Sequence, residues 1–307
     1  MNRSRRQALA LFGSTFLSAC GAPAIVTRDK NDPFEGGIGG TGIVGTLNGF
    51  GSLLINGITV ELDTGTAITT PYEAGGRDLL APGHVLTLSA RKTNAGVTAR
   101  SVSIDYALVG RLHRTGSAAT VNGVPLIGWH AALGHGASGQ RVAVSGVWTS
   151  SGVRPSRIDP APGGLDLVAG TFDNGMIGQA RLEAAAPLPA DGSYAVALGR
   201  AGQGVFTVEE FHTGRFATVS DLDFLSVEGY LEPTRSAPGF RIAGLGHSFA
   251  RDVRLQSIGE RRALYFGPYT GQFDARRGYI VPDGFSSRRA ALSSGLGADG
   301  TIPFVEI

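Results

Sequence analysis

The clearest nucleophilic arrangement in the chain lies in the run 246–250, where Ser248 directly follows His247. A serine between two glycines, on a sharp turn from a strand into a helix, is the nucleophile of many hydrolases. Here Ala250 stands in place of the second glycine, and the next residues, 251–255, predict a strand rather than a helix. We therefore favour a polar turn, and keep a serine hydrolase that uses Ser248 with a distant histidine as an alternative.

Histidine and carboxylate residues give little sign of a metal centre. Among the six histidines only His130 and His135 are close in sequence, in a glycine-rich loop without a neighbouring carboxylate or thiol. A zinc site needs three or four converging ligands. Asp221 and Asp223 alternate on a predicted strand, but the oxygen-rich loop that calcium requires is missing. The remaining histidines, His84, His113, His212 and His247, are predicted to be exposed in loops, and we predict no catalytic residue, metal or cofactor.

The two tryptophans, Trp129 and Trp148, both fall in the middle of the chain. Trp148 ends a predicted strand, and Trp129 lies in a long connection. Core packing is the favoured interpretation for both side chains. An aromatic side chain on a loop of a small barrel can also contact a peptide, sugar or strand ligand, so both are candidate ligand contacts.

The single cysteine, Cys20, ends a stretch that is typical of a secretory signal. Arg5 and Arg6 lie in a basic start, an apolar run follows over 8–17, and small residues precede the cysteine. The sequence 17–20 resembles the lipoprotein signal, which implies cleavage between Ala19 and Cys20 and acylation of Cys20. Two or three acyl chains would hold the protein stably on a membrane.

The residues around the signal predict the export route and the cellular location. Residues 4–9 resemble the twin-arginine export pattern, with Ala8 where a large apolar residue is usual. Gly21 follows the cysteine, which favours sorting to the outer membrane, with the body in the periplasm or at the cell surface. The apolar run of about ten residues is half of what a membrane-spanning helix needs.

The charge balance argues against nucleic acid as a partner. The chain has 27 basic and 25 acidic residues and a formal charge of +2. Loss of Arg3, Arg5 and Arg6 with the signal would bring the formal charge to −1. Binding of phosphate backbones needs a concentrated positive field, which this composition lacks.

The rest of the chain reads as a flexible tether followed by repeated β modules. Residues 20–42 are polar and rich in glycine, which predicts the tether. Asn56-Gly57 and Asn122-Gly123 each separate two short apolar runs, the strongest short-range signal for a hairpin. Further matching strand and glycine positions follow both pairs in the same order, which predicts a repeat.

We predict an all-β fold of tandem five-stranded barrels of OB type, since five strands curled on themselves enclose a core and remove most edges. A slice of a larger sandwich is the alternative. Modules 3 and 4 are more divergent, and neither keeps Asn-Gly at the matching position. The predicted parts are the signal (1–19), the lipidated tether (20–42), module 1 (43–106), module 2 (107–160), module 3 (165–213), module 4 (222–285) and a tail (286–307).

The run 42–57, from Gly42 to Gly57, resembles the start of the domain-of-unknown-function 5666 family. These are small β modules, often in tandem, in exported proteins and lipoproteins of Gram-negative bacteria. The resemblance is good over 42–105 and fair over 107–159. It implies an envelope protein built of β modules, and it implies no activity and no catalytic residues.

Together these observations predict an outer-membrane lipoprotein with a non-catalytic binding or structural role, and with a protein or glycan partner in the envelope. One alternative is the hydrolase that uses Ser248. A second is a membrane-spanning β-barrel, although the predicted strands are shorter than the 9 to 11 residues that such strands need.

Overall fold

The protein is described here from a computed structural model, which covers residues 40–49, 52–93, 96–130, 136–161, 163–185, 187–217, 219, 221–234, 239–251 and 253–284. Within these ranges the fold is almost wholly β, which confirms the predicted class. The described residues belong to one compact unit.

Module 1 forms a closed ring of strands. Antiparallel pairing links β1 to β2, β2 to β3, β1 to β6 and β6 to β7, and a parallel pairing of β3 with β7 closes the ring. β1 begins three residues before the predicted start of the module. The strands are β1 Gly40–Gly49, β2 Leu53–Ile55, β3 Ile58–Glu61, β4 Ala67–Thr69, β5 Ala74–Gly75, β6 Val85–Thr93 and β7 Gly96–Asp105.

Module 2 repeats this order. β8 pairs with β9 and β11, β9 pairs with β10, and β11 pairs with β12, all antiparallel. A parallel bridge between Leu126 and Val153 joins the third strand of the module to the fifth. The strands are β8 Leu108–Thr115, β9 Ala118–Val121, β10 Val124–Pro125, β11 Arg141–Thr149 and β12 Gly152–Pro160.

Module 3 is a fully closed five-stranded barrel, although its sequence is divergent. The ring runs β13, β14, β15, β17, β16 and back to β13, and only the β15–β17 pair is parallel. This strand order, first-second-third-fifth-fourth, is that of an OB-type barrel. The strands are β13 Asp166–Asp173, β14 Met176–Ile177, β15 Ala180–Ala184, β16 Tyr194–Gly202 and β17 Val205–Thr213.

Module 4 is built from shorter pieces. β18 pairs with β22, β22 with β24 and β19 with β20, all antiparallel, and β21 runs parallel to β23. The strand predicted over 251–255 is wrong, because a short helix, α1 Val253–Gln256, lies there. The strands are β18 Leu222–Gly229, β19 Leu231–Pro233, β20 Phe240–Ile242, β21 Ser248–Phe249, β22 Ala263–Pro268, β23 Phe273–Asp274 and β24 Arg277–Ile280.

Both predicted Asn-Gly hairpins are confirmed. Asn56 and Gly57 have φ values of 53° and 77°, and Asn122 and Gly123 have 51° and 80°. Positive φ at both central residues is the condition for a type I′ turn, whose twist matches the flanking strands. In module 3 the same turn type occurs one hairpin earlier, at Asn174, with φ of 51°.

Pairing between modules joins them into two large sheets. β1 of module 1 pairs in parallel with β18 of module 4, and β8 of module 2 pairs antiparallel with β13 of module 3. Modules 2 and 3 also share one hydrophobic core. The repeat therefore predicts the strands of a module, whereas long-range pairing decides which modules are neighbours.

The turn asparagines of modules 1 and 2 also tie neighbouring modules together. Asn56 Nδ2 donates to the carbonyl oxygens of Val44 and Ser226, at 3.0 and 3.2 Å. Asn122 Nδ2 donates to the carbonyl oxygens of Val109 and Leu167, at 2.9 and 3.0 Å. Each amide therefore bridges its own module and the first strand of the adjacent module.

Glycine is required beside each of these amides. A Cβ at Gly45 would lie 2.0 Å from Asn56 Oδ1, and one at Gly110 would lie 2.1 Å from Asn122 Oδ1. No side chain fits at such distances. The opening glycine and the Asn-Gly pair of the sequence repeat are therefore two halves of one contact.

A buried ion pair lies where modules 1 and 4 meet. Arg262 Nε donates to Glu228 Oε1 at 2.8 Å, and the side chains are 1% and 0% exposed. Glu228 Oε2 accepts the backbone N–H of Thr46 at 2.8 Å, and Arg262 also donates to the Thr46 hydroxyl. Since both charges are paired and hydrogen-bonded, their burial is tolerated.

Candidate functional site

Trp148 lies in the core at the junction of modules 2, 3 and 4. The side chain is 6% exposed, and its Nε1–H donates to the carbonyl of Ala169 at 2.8 Å. A Cβ at Gly178 or Gly244 would lie 2.1 Å from the indole ring, so both glycines permit this close packing. The favoured packing interpretation fits this position, and the ring edge lines a cleft described below. Its role as a ligand contact stays a prediction.

Trp129 is partly buried against the core shared by modules 2 and 3. The guanidinium of Arg114 lies over its ring, 4.4 Å from the centroid. Arg114 also donates to the carbonyl of Gly136 at 3.0 Å, which fixes the connection around the ring. The structure therefore places the two tryptophans in different environments, and only Trp148 lines the cleft.

Ser248 is placed in a strand rather than on a strained turn. The residue is 1% exposed, and its hydroxyl accepts the N–H of Ile242 at 3.1 Å and donates to the Ile242 carbonyl at 3.3 Å. The hydroxyl thus substitutes for a backbone pairing partner between β20 and β21. A nucleophilic hydroxyl must instead be exposed and bonded to a base.

The histidines are dispersed, and the prediction that they are exposed in loops is wrong for three of them. His113 and His212 are exposed but lie on β8 and β17. His84 is buried rather than exposed in a loop; its Nδ1 accepts the N–H of Ala81, and its Nε2 lies 3.0 Å from Asp159 Oδ2. Burial raises the pKa of Asp159, but hydrogen bonds from His84 and Arg157 outweigh it and hold that pKa below its usual value. Among the described residues, no three metal-ligating side chains lie together.

The residues of the predicted export signal, Arg5, Arg6, Ala19 and Cys20, lie outside the described residues, as do His135 and the tail. Their roles remain predictions. No helix in the described ranges has both the length and the apolar character to cross a bilayer.

An open cleft of about 720 Å³ lies between modules 2, 3 and 4, and we call it the interbarrel cleft. Module 3 contributes its first turn, the start of its second strand and the loop before its fourth strand. OB-type barrels bind ligands on the face of strands 2 and 3 and on the loops that join strands 1 to 2 and 4 to 5. The cleft includes the first of these loops and the start of strand 2. The lining residues used below are Trp148, Ser150, Asp173, Asn174, Met176, Gln179, Asp191, Glu232, Pro233, Arg241, His247, Ser248 and Phe249.

A charged group crosses the cleft wall from module 4 to module 3. Arg241 Nε donates to Glu232 Oε1 at 2.5 Å, and its terminal nitrogen lies 3.4 Å from Asp173 Oδ2. Burial, with a smaller contribution from Asp173, raises the pKa of Glu232 above its usual range, although Arg241 opposes the shift. Burial therefore disfavours the charged form of Glu232, and the ion pair with Arg241 offsets part of this effect.

Two further groups of module 3 complete the polar wall. Asp191 Oδ1 accepts the backbone N–H of Asn174 at 2.9 Å, which orients its exposed carboxylate. Gln179 donates to the carbonyl of Ser150 at 3.2 Å, while its Oε1 is buried without a hydrogen-bond donor. A buried acceptor without a donor is uncommon in folded proteins, and a bound donor would satisfy it.

Comparison of the chain with protein-family models, with curated proteins and with solved structures finds no match. The resemblance of 42–57 to the domain-of-unknown-function 5666 family therefore stays a prediction. What can be said of this chain's function comes from its own residues.

A second, smaller cavity of about 180 Å³ lies between modules 1 and 3. Arg215 donates to Asp105 Oδ2 at 2.9 Å and stacks on Tyr194, 4.3 Å from the ring centroid. Burial raises the pKa of Asp105, against the opposing effects of Arg215 and two hydroxyl donors. Arg215 bonds to both Asp105 and Thr87 across this cavity, so we interpret it as a junction rather than a ligand site.

The charged residues of the interbarrel cleft were not predicted from the sequence. Glu232 and Arg241 lie 59 and 68 positions after Asp173, in a different module, and no local motif contains all three. One signal was available, since Asn174-Gly175 predicts a tight turn directly after Asp173. That turn would have placed a carboxylate at the rim of module 3.

Proposed function

We propose that this chain is a lipid-anchored binding protein of the bacterial cell envelope, non-catalytic, whose β modules present one ligand cleft. The observation that carries the binding role is the interbarrel cleft of about 720 Å³. This volume falls in the range of ligand sites, which are concave and combine apolar walls with a few polar groups. Three modules supply its walls, so binding depends on the assembled chain.

The non-catalytic part of the proposal is supported by the hydrogen bonding of Ser248. Its hydroxyl proton is directed to the Ile242 carbonyl, within a pair of strands. We expect Ser248→Ala to leave hydrolysis of a broad ester panel at the background level of the wild-type protein. Ester hydrolysis that depends on Ser248 would overturn the non-catalytic proposal.

The anchor is supported by sequence alone, through Cys20 and the residues before it. Cys20→Ser removes the only acylation site that the sequence predicts. We expect the variant to move from the membrane pellet to the soluble fraction with an unchanged circular dichroism spectrum. Retention of the folded Cys20→Ser protein in the pellet after a carbonate wash would contradict the lipid anchor.

The binding role is tested by capture of envelope components with proteins whose cleft is open or blocked. Ser150 is exposed at the rim, so Ser150→Trp adds bulk to the opening. Ser117 lies in the exposed turn between β8 and β9, outside the cleft, and Ser117→Trp is the matched control. We expect crosslinking to capture an envelope component with the wild type and the control but not with Ser150→Trp. Equal capture by all three proteins would place binding elsewhere.

A further inference from the structure

The interbarrel cleft carries an excess of negative charge. Among the described residues, those that line the cleft include three carboxylates, of Asp173, Asp191 and Glu232, and one guanidinium, of Arg241. Because Arg241 already lies between Glu232 and Asp173, these lining residues keep an excess of two carboxylates over guanidinium groups. A ligand that brings positive charge would be attracted, and one that brings negative charge would be repelled.

Hydrogen bonding on the cleft wall also favours a ligand rich in donors. Gln179 Oε1 is buried and has no donor, although the Nε2 of the same side chain is bonded to Ser150. This acceptor is independent of the carboxylates. A bound ammonium or guanidinium group supplies several N–H donors to such a wall.

The apolar part of the cleft suits aliphatic stems better than flat rings. Met176 is 37% exposed and Pro233 is also exposed, which provides an adaptable apolar surface. The aromatic faces are covered, since Arg251 lies 4.9 Å over the ring of Phe249 and Trp148 is buried. Lysine and arginine side chains combine an aliphatic stem with a charged head.

We propose that the interbarrel cleft binds a cationic peptide segment, one that bears lysine or arginine side chains on an envelope partner. The proposal rests on the proposed function, because it takes the cleft to be the binding site and specifies its ligand. The stems lie along Met176 and Pro233, and the charged heads reach Asp173 and Asp191. Gln179 lines the cleft, and a turn of its side chain brings Oε1 to the N–H groups of the ligand.

The test measures binding of fluorescein-labelled tri-lysine to the purified full chain by fluorescence polarisation. Tri-glutamine, tri-glutamate and the neutral sugar chitotriose are competitors. The main variant is Asp173→Asn with Asp191→Asn, which removes two charges and keeps one acceptor oxygen at each position. The matched control is Glu209→Gln on β17, whose exposed carboxylate pairs with Arg200 outside the cleft.

We expect tri-lysine affinity to fall about tenfold in the double variant, since each charge contact at such exposure is worth up to about 1 kcal/mol. The control stays within twofold of the wild type, Ser150→Trp abolishes binding, and affinity falls as salt is raised. Tri-glutamine and tri-glutamate do not compete.

Other outcomes overturn the proposal in distinguishable ways. Tri-lysine binding that is equal in the wild type, the double variant and Ser150→Trp is nonspecific and refutes it. Competition by chitotriose, lost in Ser150→Trp, together with no tri-lysine binding, refutes the cationic ligand and leaves the cleft as a binding site for a glycan. Absence of tri-lysine binding refutes the cationic ligand by itself, and the envelope capture experiment then decides the binding role separately.

Discussion

The buried pair of Glu228 and Arg262 gives the sharpest test of how modules 1 and 4 are held together. The perturbation is a double-mutant cycle of Glu228→Gln, Arg262→Met and the two combined. In the wild type the Thr46 N–H donates to Glu228 Oε2 at 2.8 Å. The side-chain oxygen of glutamine can accept the same N–H. The cycle therefore removes charge while it retains the backbone hydrogen bond.

The expected magnitudes follow from the burial of the pair. Both side chains are at most 1% exposed, so removal of one partner leaves an uncompensated charge in the interior. Such a change costs about 3–5 kcal/mol of the free energy of unfolding. Replacement of both charged groups leaves no buried charge, and we expect the double variant to lie within about 2 kcal/mol of the wild type.

Urea unfolding followed by far-ultraviolet circular dichroism measures the free energies of unfolding. The control is Glu209→Gln, which breaks the exposed pair with Arg200 and is expected to cost under about 1 kcal/mol. The decisive result is the order of the free energies of unfolding. We expect the double variant to be more stable than either single variant. A double variant that is the least stable of the three would refute the reasoning.

Two further predictions concern the other junctions. The pKa of Asp159 is held below its usual value, so its contribution to stability is present above about pH 3.9 and is lost as pH falls through the lowered folded-state value. We therefore expect the urea midpoint to fall less between pH 5 and pH 2 in Asp159→Asn than in the wild type. Equal falls in the two proteins would contradict this expectation. Gly244→Ala should cost about 2–3 kcal/mol in urea unfolding, because φ is +69° and the new Cβ would lie 2.1 Å from Trp148. Gly204→Ala, with φ of +79° and open space, isolates the backbone part and should cost about 1 kcal/mol.

The sequence predicted what is locally encoded. Asn-Gly turns and alternating apolar residues depend on neighbours a few positions away, so the β class, the two hairpins and the five strands that form the ring of each of modules 1 and 2 were predictable. The short strands β4 and β5 of module 1 were not predicted. Module 3 closes into the same ring with its Asn-Gly pair at a different turn, at Asn174. A conserved strand order does not need the same turn residues, since pairing of the strands fixes the ring.

The cleft was not predictable because it is made by distant pairings. Asp173 of module 3 and Arg241 of module 4 approach only because β8 pairs with β13 and β1 pairs with β18. A repeat predicts identical modules and gives no rule for which of them pack together. The buried carboxylate of Glu228 was missed for the same reason, since its partner Arg262 lies 34 positions away.

Asn122 was predicted from the sequence as a turn residue, and in the structure its amide also bonds to the neighbouring module. The contribution of these hydrogen bonds to stability can be tested directly. Asn122→Asp keeps a residue that tolerates positive φ but replaces the amide that donates to the Val109 and Leu167 carbonyls. Loss of two partly buried hydrogen bonds, with a carboxylate now facing two carbonyl oxygens, should cost about 3 kcal/mol or more in urea unfolding. Asn174→Asp is the matched control, because Asn174 has the same φ of 51° and is exposed, and it should cost under about 1 kcal/mol. Equal losses at the two positions would show that turn propensity alone explains the Asn-Gly repeat; a large difference would show that the repeat also encodes the contact between neighbouring modules.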